Sequence, residues 1–328
     1  MPTRRAIYSL VEGLFFATLF VVILYLVQHV PPLISILALL VLPTIPAVYS
    51  LRQRFGVAVG FALCTISLLA LFSETLMLMA IWLYFAGLGL GWGFRWQMVT
   101  GLRNNPTYDD LLHKALEVVL PGFAGAMVGT ATLVGLVPTL TGSPLASTLA
   151  SSLEQTFSYI ASFSQEGAQA AEAVRRLALL KEEIMANTLF YFCVGAMLVT
   201  FCSFMATRFL LLHSGMPLPF LPRYNLWTLP QRTMMVLMTT FLPLLFASEN
   251  GGWHLFLLDS INQFILLLCI LLGVAVQDFY LQRWRCPKWL RLVLRLLVML
   301  MASLQTVALL LGMLDVGFDL RRLKRNTE

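Results

Sequence analysis

The chain has 328 residues, of which 59% are hydrophobic and only 12% are charged. Soluble domains carry roughly 25% charged residues, and a soluble protein of this length has too little interior to hide so much apolar surface. The composition therefore excludes an ordinary soluble domain. The formal net charge of +6 does not indicate a nucleic acid partner, because the Lys and Arg residues lie at the edges of apolar blocks, where the positive-inside rule places them in membrane proteins.

Long apolar blocks follow one another along the chain. A helix needs roughly 20 apolar residues to cross a bilayer, and these blocks lack the two-residue alternation of barrel strands. The sequence therefore predicts an all-α, polytopic transmembrane helical bundle of eight or nine spans. The predicted spans are Ala6–Val27, Leu33–Tyr49, Val57–Phe72, Leu76–Gly93, Ala115–Leu140, Ala186–Leu212, Met234–Phe246, Leu255–Phe279 and Leu292–Leu314.

Basic residues mark alternate loops between the first predicted spans. The marked positions are Arg4 and Arg5, Arg52 and Arg54, and Arg95 and Arg103, whereas Gln28–Pro32 and Ser73-Glu74 carry no Lys or Arg. This distribution predicts a cytoplasmic N-terminus. Nine crossings would leave the basic tail outside, unless the Met234–Phe246 block is re-entrant or the last helix does not fully cross.

Residues 1–328 are expected to form one membrane domain in three parts. Residues 1–140 hold five N-terminal spans, residues 141–185 form an amphipathic extracytoplasmic segment, and residues 186–328 hold the C-terminal spans. Within the middle part, apolar residues such as Val174, Leu177 and Ile184 recur at helical spacing among charged residues. This pattern predicts one or two amphipathic helices that lie on the membrane surface or cap the bundle.

Polar side chains interrupt the apolar block that begins near residue 255. Asp259, Asn262 and Gln263 are three and four residues apart, which places them on one face of a helix. Because ionisable groups inside a membrane are costly, we interpret these residues as a candidate ligand-binding site for a small-molecule solute or an ion. The alternative is that they lie at the membrane boundary or bind a neighbouring helix.

Two further carboxylates end predicted spans near basic residues. Asp278 precedes Arg283, and Asp315 precedes Arg321, so ion pairs at the membrane boundary are expected.

Glycines at four-residue spacing indicate close helix packing. Gly87 and Gly91 form one such pair, and Gly125 and Gly129 form another. Small residues let helix backbones approach closely. The contact is expected within the bundle, with an interface to a partner subunit as the alternative.

Motifs of enzymes are missing from the sequence. It contains no phosphate-binding glycine loop, no HExxH helix and no nucleophile elbow. No catalytic residue, metal site or cofactor is therefore expected, and the protein is not expected to be an enzyme.

Two short motifs resemble a known family. The segment Leu311-Gly312-Met313-Leu314-Asp315, followed by Phe318-Asp319-Leu320-Arg321, resembles the closing GLxD…FDxR signature of the bacterial YybS-like, or DUF2232, family of predicted membrane proteins, with Met313 as an inserted residue. Phe220 and Trp227-Thr228-Leu229-Pro230 resemble that family's F…WxLP loop. The resemblance singles out Trp227, Pro230, Gly312, Asp315, Asp319 and Arg321.

The family's N-terminal region is similar in layout to the S components of energy-coupling factor transporters. Those proteins are small helical bundles that bind vitamins or metal ions and dock onto an ATPase module, although this chain has more spans than their six. The resemblance implies a transport-type or solute-binding membrane subunit without its own ATPase. It would lie in a lipid bilayer, the cytoplasmic (inner) membrane of a bacterium, and use a membrane or ATPase partner subunit. The alternative is a scaffold that binds other envelope proteins.

Overall fold

The computed structural model describes residues 2–100, 108–142, 168–214, 224–227 and 253–321, together with residues 147, 150, 151, 153, 154, 235 and 239. The regular elements in these ranges are helical, which confirms the predicted all-α class. The helices are α1 (Pro2–Val27), α2 (Pro32–Val41), α3 (Thr44–Arg52), α4 (Phe55–Ala70), α5 (Glu74–Thr100), α6 (Tyr108–Thr141), α7 (Ala168–Ala186), α8 (Thr188–His213), a 3-10 turn (Tyr224–Leu226), α9 (Trp253–Arg283), α10 (Lys288–Leu300) and α11 (Ala302–Phe318).

Six helical stretches in the described residues are long and apolar enough to cross a membrane. They are Tyr8–Val27, Ile34–Arg52, Glu74–Val99, Ala115–Thr139, Thr188–His213 and Leu258–Arg283, and α10 with α11 makes a seventh if the two form one span. The chain is thus a multi-pass membrane protein, whereas the count of eight or nine spans is not confirmed. Helix α4 has only 16 residues, and most of the predicted Met234–Phe246 span lies outside the described residues.

The predicted span Leu292–Leu314 is not one continuous helix but parts of two helices, α10 and α11. The chain is extended at Met301, and α10 and α11 meet there at an angle of 103°. The two helices bury different kinds of surface, since α10 turns arginines toward α9 and α11 packs a glycine against it. A straight helix would separate Arg295 from Gly312 by about 26 Å, whereas their partners on α9, Asp278 and Cys269, are about 14 Å apart along that helix.

Residue contacts group the chain into two compact units. The first comprises Met1–Arg103 and His113–Pro219, and the second comprises Asn104–Leu112 and Phe220–Glu328. The division into 1–140, 141–185 and 186–328 stays a prediction.

In the first unit, α5 is the central helix and packs against α3, α4 and α8. Its buried Leu83 shares an apolar core with Phe20 and Leu24 of α1. Helices α2 and α3 together make one span, which is interrupted at Leu42 and Pro43 because proline has no N–H to continue the helical ladder. Helix α7 forms the C-terminal part of the predicted amphipathic segment and ends one residue beyond it.

In the second unit, α9 is the helix against which the other elements pack. It contacts α10, α11 and the 3-10 turn. At the crossing with α11, an added Cβ on Gly273 would overlap the Ala308 carbonyl, and one on Gly312 would overlap the Cys269 carbonyl. The absence of side chains at both glycines therefore lets the two backbones touch.

Candidate functional site

The predicted polar face lies at the beginning of the membrane-spanning part of α9. Gln263 Nε2 donates a hydrogen bond to Asp259 Oδ2 at 2.8 Å, so the helix brings these two side chains together as predicted. Asn262 is only 5% exposed, and Ser260 is also buried. The polar run is therefore partly enclosed by protein.

The side-chain carbonyl of Asn262 is the unusual group in this face. Its Oδ1 atom is buried and has no hydrogen-bond partner among the described residues. Leaving a buried acceptor unpaired costs about 1–3 kcal/mol. A ligand that supplies a donor would recover this energy, and the Asp259 carboxylate one turn away adds a second acceptor.

A second polar cluster joins the motifs at the C-terminal end of the chain. Arg321 Nη2 lies 2.6 Å from Asp315 Oδ2, and both side chains are at least 98% buried. The same guanidinium donates to the backbone carbonyls of Asn225, at 2.6 Å, and Trp227, at 2.5 Å. The expected Asp315–Arg321 pair is present, and it also ties the Trp227 motif to the closing motif.

Local backbone geometry explains how Arg321 reaches Asp315. Helix α11 ends at Phe318, and Asp319 takes a left-handed conformation with φ 49° and ψ 58°. Asp319 N–H donates to the Asp315 carbonyl at 2.9 Å, which is a common way to end a helix. The turn folds the chain back, and Tyr280 Oη donates to the Leu320 carbonyl at 3.0 Å. Of the motif residues, Pro230 lies outside the described residues.

Asp278 does not bind the basic residue expected from the sequence. Its carboxylate oxygen Oδ1 lies 2.7 Å from Arg295 Nη2 and 3.5 Å from Arg291 Nη1, so these residues of α10 take the place expected for Arg283. The sequence did not single out either arginine as a partner of Asp278. Their signal was a three- to four-residue recurrence of basic residues on an otherwise apolar helix.

Tyr224 and Asn225 of the 3-10 turn contact residues around Asp278. The Arg295 guanidinium lies 5.7 Å from the centre of the Tyr224 ring, a cation–π distance. Burial raises the pKa of Tyr224 to about 12, so its hydroxyl stays protonated and donates to the Leu271 carbonyl. Asn225 Nδ2 donates to Gln282 Oε1 at 2.5 Å. Neither residue stood out in the sequence.

The two polar clusters lie at opposite ends of α9. Asp259 and Asp278 are 19 residues apart, which corresponds to about 28 Å along a helix. The candidate ligand site therefore does not include the motif residues. These residues form a separate cluster, in which most polar groups bind one another.

The glycine pairs pack inside the first unit. Gly87 and Gly91 face α3, and Gly125 and Gly129 face α5, so closely that an added Cβ would press against the facing helix. These contacts favour packing within the bundle over an interface with a partner.

Two of the basic loop ends, those with Arg52 and Arg95, meet at one end of the first unit. Arg52 Nη1 donates to Glu12 Oε1 at 2.7 Å, and Gln53 Nε2 donates to Glu12 Oε2 at 2.8 Å. Arg95 Nη1 donates to the Gln53 carbonyl at 3.0 Å. The ends of α3 and α5 therefore lie together, and α1 joins them through Glu12.

Comparison with known proteins identifies a family but no characterised relative. The family model described as "Predicted membrane protein (DUF2232)" matches residues 18–316. No curated protein and no solved structure matches the chain.

Proposed function

The chain belongs to the DUF2232 family of predicted membrane proteins, and we propose that it is a transport-type, solute-binding membrane subunit. This proposal is supported by the Asn262 side-chain carbonyl, which is buried and has no hydrogen-bond partner among the described residues, beside the Asp259–Gln263 hydrogen bond. Polar groups inside a membrane-spanning helix are costly and are usually retained for a function.

The chemistry of this site suits a solute that donates hydrogen bonds. Asp259 and the Asn262 carbonyl are both acceptors, and the amide of Gln263 is already engaged by Asp259. A solute with amine, amide or hydroxyl groups would pair with them. The sequence has no nucleotide-binding loop, so an ATP-driven step would require a partner subunit.

The solute-binding proposal predicts ligand-induced stabilisation that depends on Asn262. A ligand at one hundred times its dissociation constant stabilises the folded state by about 2.7 kcal/mol. We expect at least one member of a panel of vitamins, amino acids and metal ions to raise the melting temperature of the purified protein. Asn262→Ala and Asp259→Ala should each abolish this rise.

A matched control is Thr207→Val in α8, which removes from the first unit a buried hydroxyl that has no hydrogen-bond partner in the part of the chain that the structure describes. This variant should keep the full response. A panel with no stabilising member, or a response that survives in both α9 variants, would refute the proposal.

We further propose that the N-terminus faces the bacterial cytoplasm. The proximity of Arg52 and Arg95, at the ends of α3 and α5, supports a single basic side of the first unit. In a variant without the natural cysteines, Glu74→Cys should react with a membrane-impermeant maleimide in intact cells and Arg54→Cys should not. The reverse pattern would invert the orientation.

A further inference from the structure

Helix α10 is amphipathic in the reverse sense to a helix of a soluble protein. Its apolar residues Trp289, Leu292 and Leu296 are each more than half exposed, whereas Arg291 and Arg295 point inward to Asp278. The helix has 13 residues, about 20 Å, which is too short to cross a bilayer. Its exposed face is therefore suited to contact lipid chains over part of the membrane depth.

The charges around α10 do not balance within the described chain. Residues 278–295 contain five basic residues and one acidic residue, Asp278. The Nε atoms of Arg291 and Arg295 are buried without a hydrogen-bond partner among the described residues. The nearby Arg321 is already neutralised by Asp315. The inner face of α10 thus carries hydrogen-bond donors that the described residues leave unpaired, together with an excess of positive charge. A phosphate group binds to a surface of this kind.

The turn between α9 and α10 has the composition of a membrane–water interface. Trp284 and Trp289 are 70% and 66% exposed, and they flank Arg285 and Lys288. Exposed tryptophans gather at the level of lipid headgroups. Arg285 takes a left-handed conformation with φ 60°, and this turn reverses the chain so that α10 re-enters the apolar layer beside α9.

We propose that this turn and the basic face of α10 bind the headgroup phosphate of an anionic phospholipid. The phosphate would pair with Arg295, Arg291 and Lys288, while the acyl chains would cover the exposed apolar face. A lipid fits better than a soluble phosphate because the basic and apolar surfaces belong to the same short helix. Basic pockets beside membrane helices bind such headgroups on the cytoplasmic side.

This site is independent of the proposed solute site. It lies at the other end of α9, about 28 Å from Asp259. Asp259→Ala should therefore leave lipid binding intact, and loss of one site does not imply loss of the other.

Lipid binding can be tested on the full-length protein in a mild detergent. Phosphatidylglycerol should raise the melting temperature, and native mass spectrometry should detect the retained lipid. Phosphatidylcholine with the same acyl chains should do neither, and neither should glycerol phosphate, the soluble headgroup analogue. Arg295→Gln and Lys288→Gln should each lose at least half of the temperature shift.

The choice of variants separates binding from folding. Arg295→Gln leaves Arg291 beside Asp278, and Lys288 is exposed, so both proteins should fold. Arg52→Gln, an exposed arginine of the first unit, is the matched control and should respond fully. Equal shifts with phosphatidylcholine, equal shifts with glycerol phosphate, or a full response in both α10 variants would each overturn the proposal.

Discussion

Replacing Arg321 with alanine is expected to lower the free energy of unfolding by about 3–5 kcal/mol. The substitution leaves the Asp315 carboxylate buried without its counter-charge, since the two side chains are only 0% and 2% exposed. It also removes the donors to the Asn225 and Trp227 carbonyls. Thermal unfolding in a mild detergent, followed by circular dichroism, measures the change.

A graded series of substitutions tests the cause of this loss. Arg321→Lys keeps the charge but cannot reproduce the planar fork that reaches Asp315 and two carbonyls at once, so an intermediate loss is expected. Arg52→Ala removes an arginine whose side chain is 57% exposed in its pair with Glu12, and such pairs contribute less than about 1 kcal/mol. If Arg321→Ala is no more harmful than Arg52→Ala, the buried pair does not stabilise the fold.

This cluster shows where prediction from the sequence succeeds and where it stops. Asp315 and Arg321 are six residues apart, so their pairing follows from local geometry once the helix ends between them. The third partner, Asn225, lies 96 residues earlier. Its role depends on how the 3-10 turn packs against α9, and no local pattern encodes that packing.

The break between α10 and α11 was hidden for a related reason. Residues 292–314 are mostly apolar, and no proline or glycine lies within ten residues of Met301. In such a run, the hydrophobic pattern indicates a membrane segment but does not determine where the helix bends. The ion pair between Arg295 and Asp278 joins α10 to a different helix, α9, and holds α10 beside it.

The sequence predicts one feature of the candidate solute site, because its residues lie on one helix. Their three- and four-residue spacing places them on one face, where Gln263 donates a hydrogen bond to Asp259. Solute binding at this face stays a prediction. The enclosure of Asn262 could not be predicted, since burial on a helix depends on which neighbours cover it.

Gly312→Leu is the second substitution with a large expected effect. Even a methyl group at this position would overlap the backbone carbonyl of Cys269 in α9, and backbone atoms cannot rotate away as a side chain can. Overpacking of this kind costs about 1–3 kcal/mol for a small addition and more for a large one. We expect Gly312→Ala to fall within that range and Gly312→Leu to exceed it.

The same helix provides a matched control for this prediction. Gly317 also lies in α11, but none of the described residues comes within 4 Å of an added Cβ there. Because alanine favours a helix over glycine by about 1 kcal/mol, Gly317→Ala should be neutral or stabilising, so the two alanine variants should shift the melting temperature differently. Gly273→Ala removes space at the same crossing, so its cost should add less than fully to that of Gly312→Ala. Equal melting temperatures for Gly312→Ala and Gly317→Ala would contradict the close approach of α9 and α11.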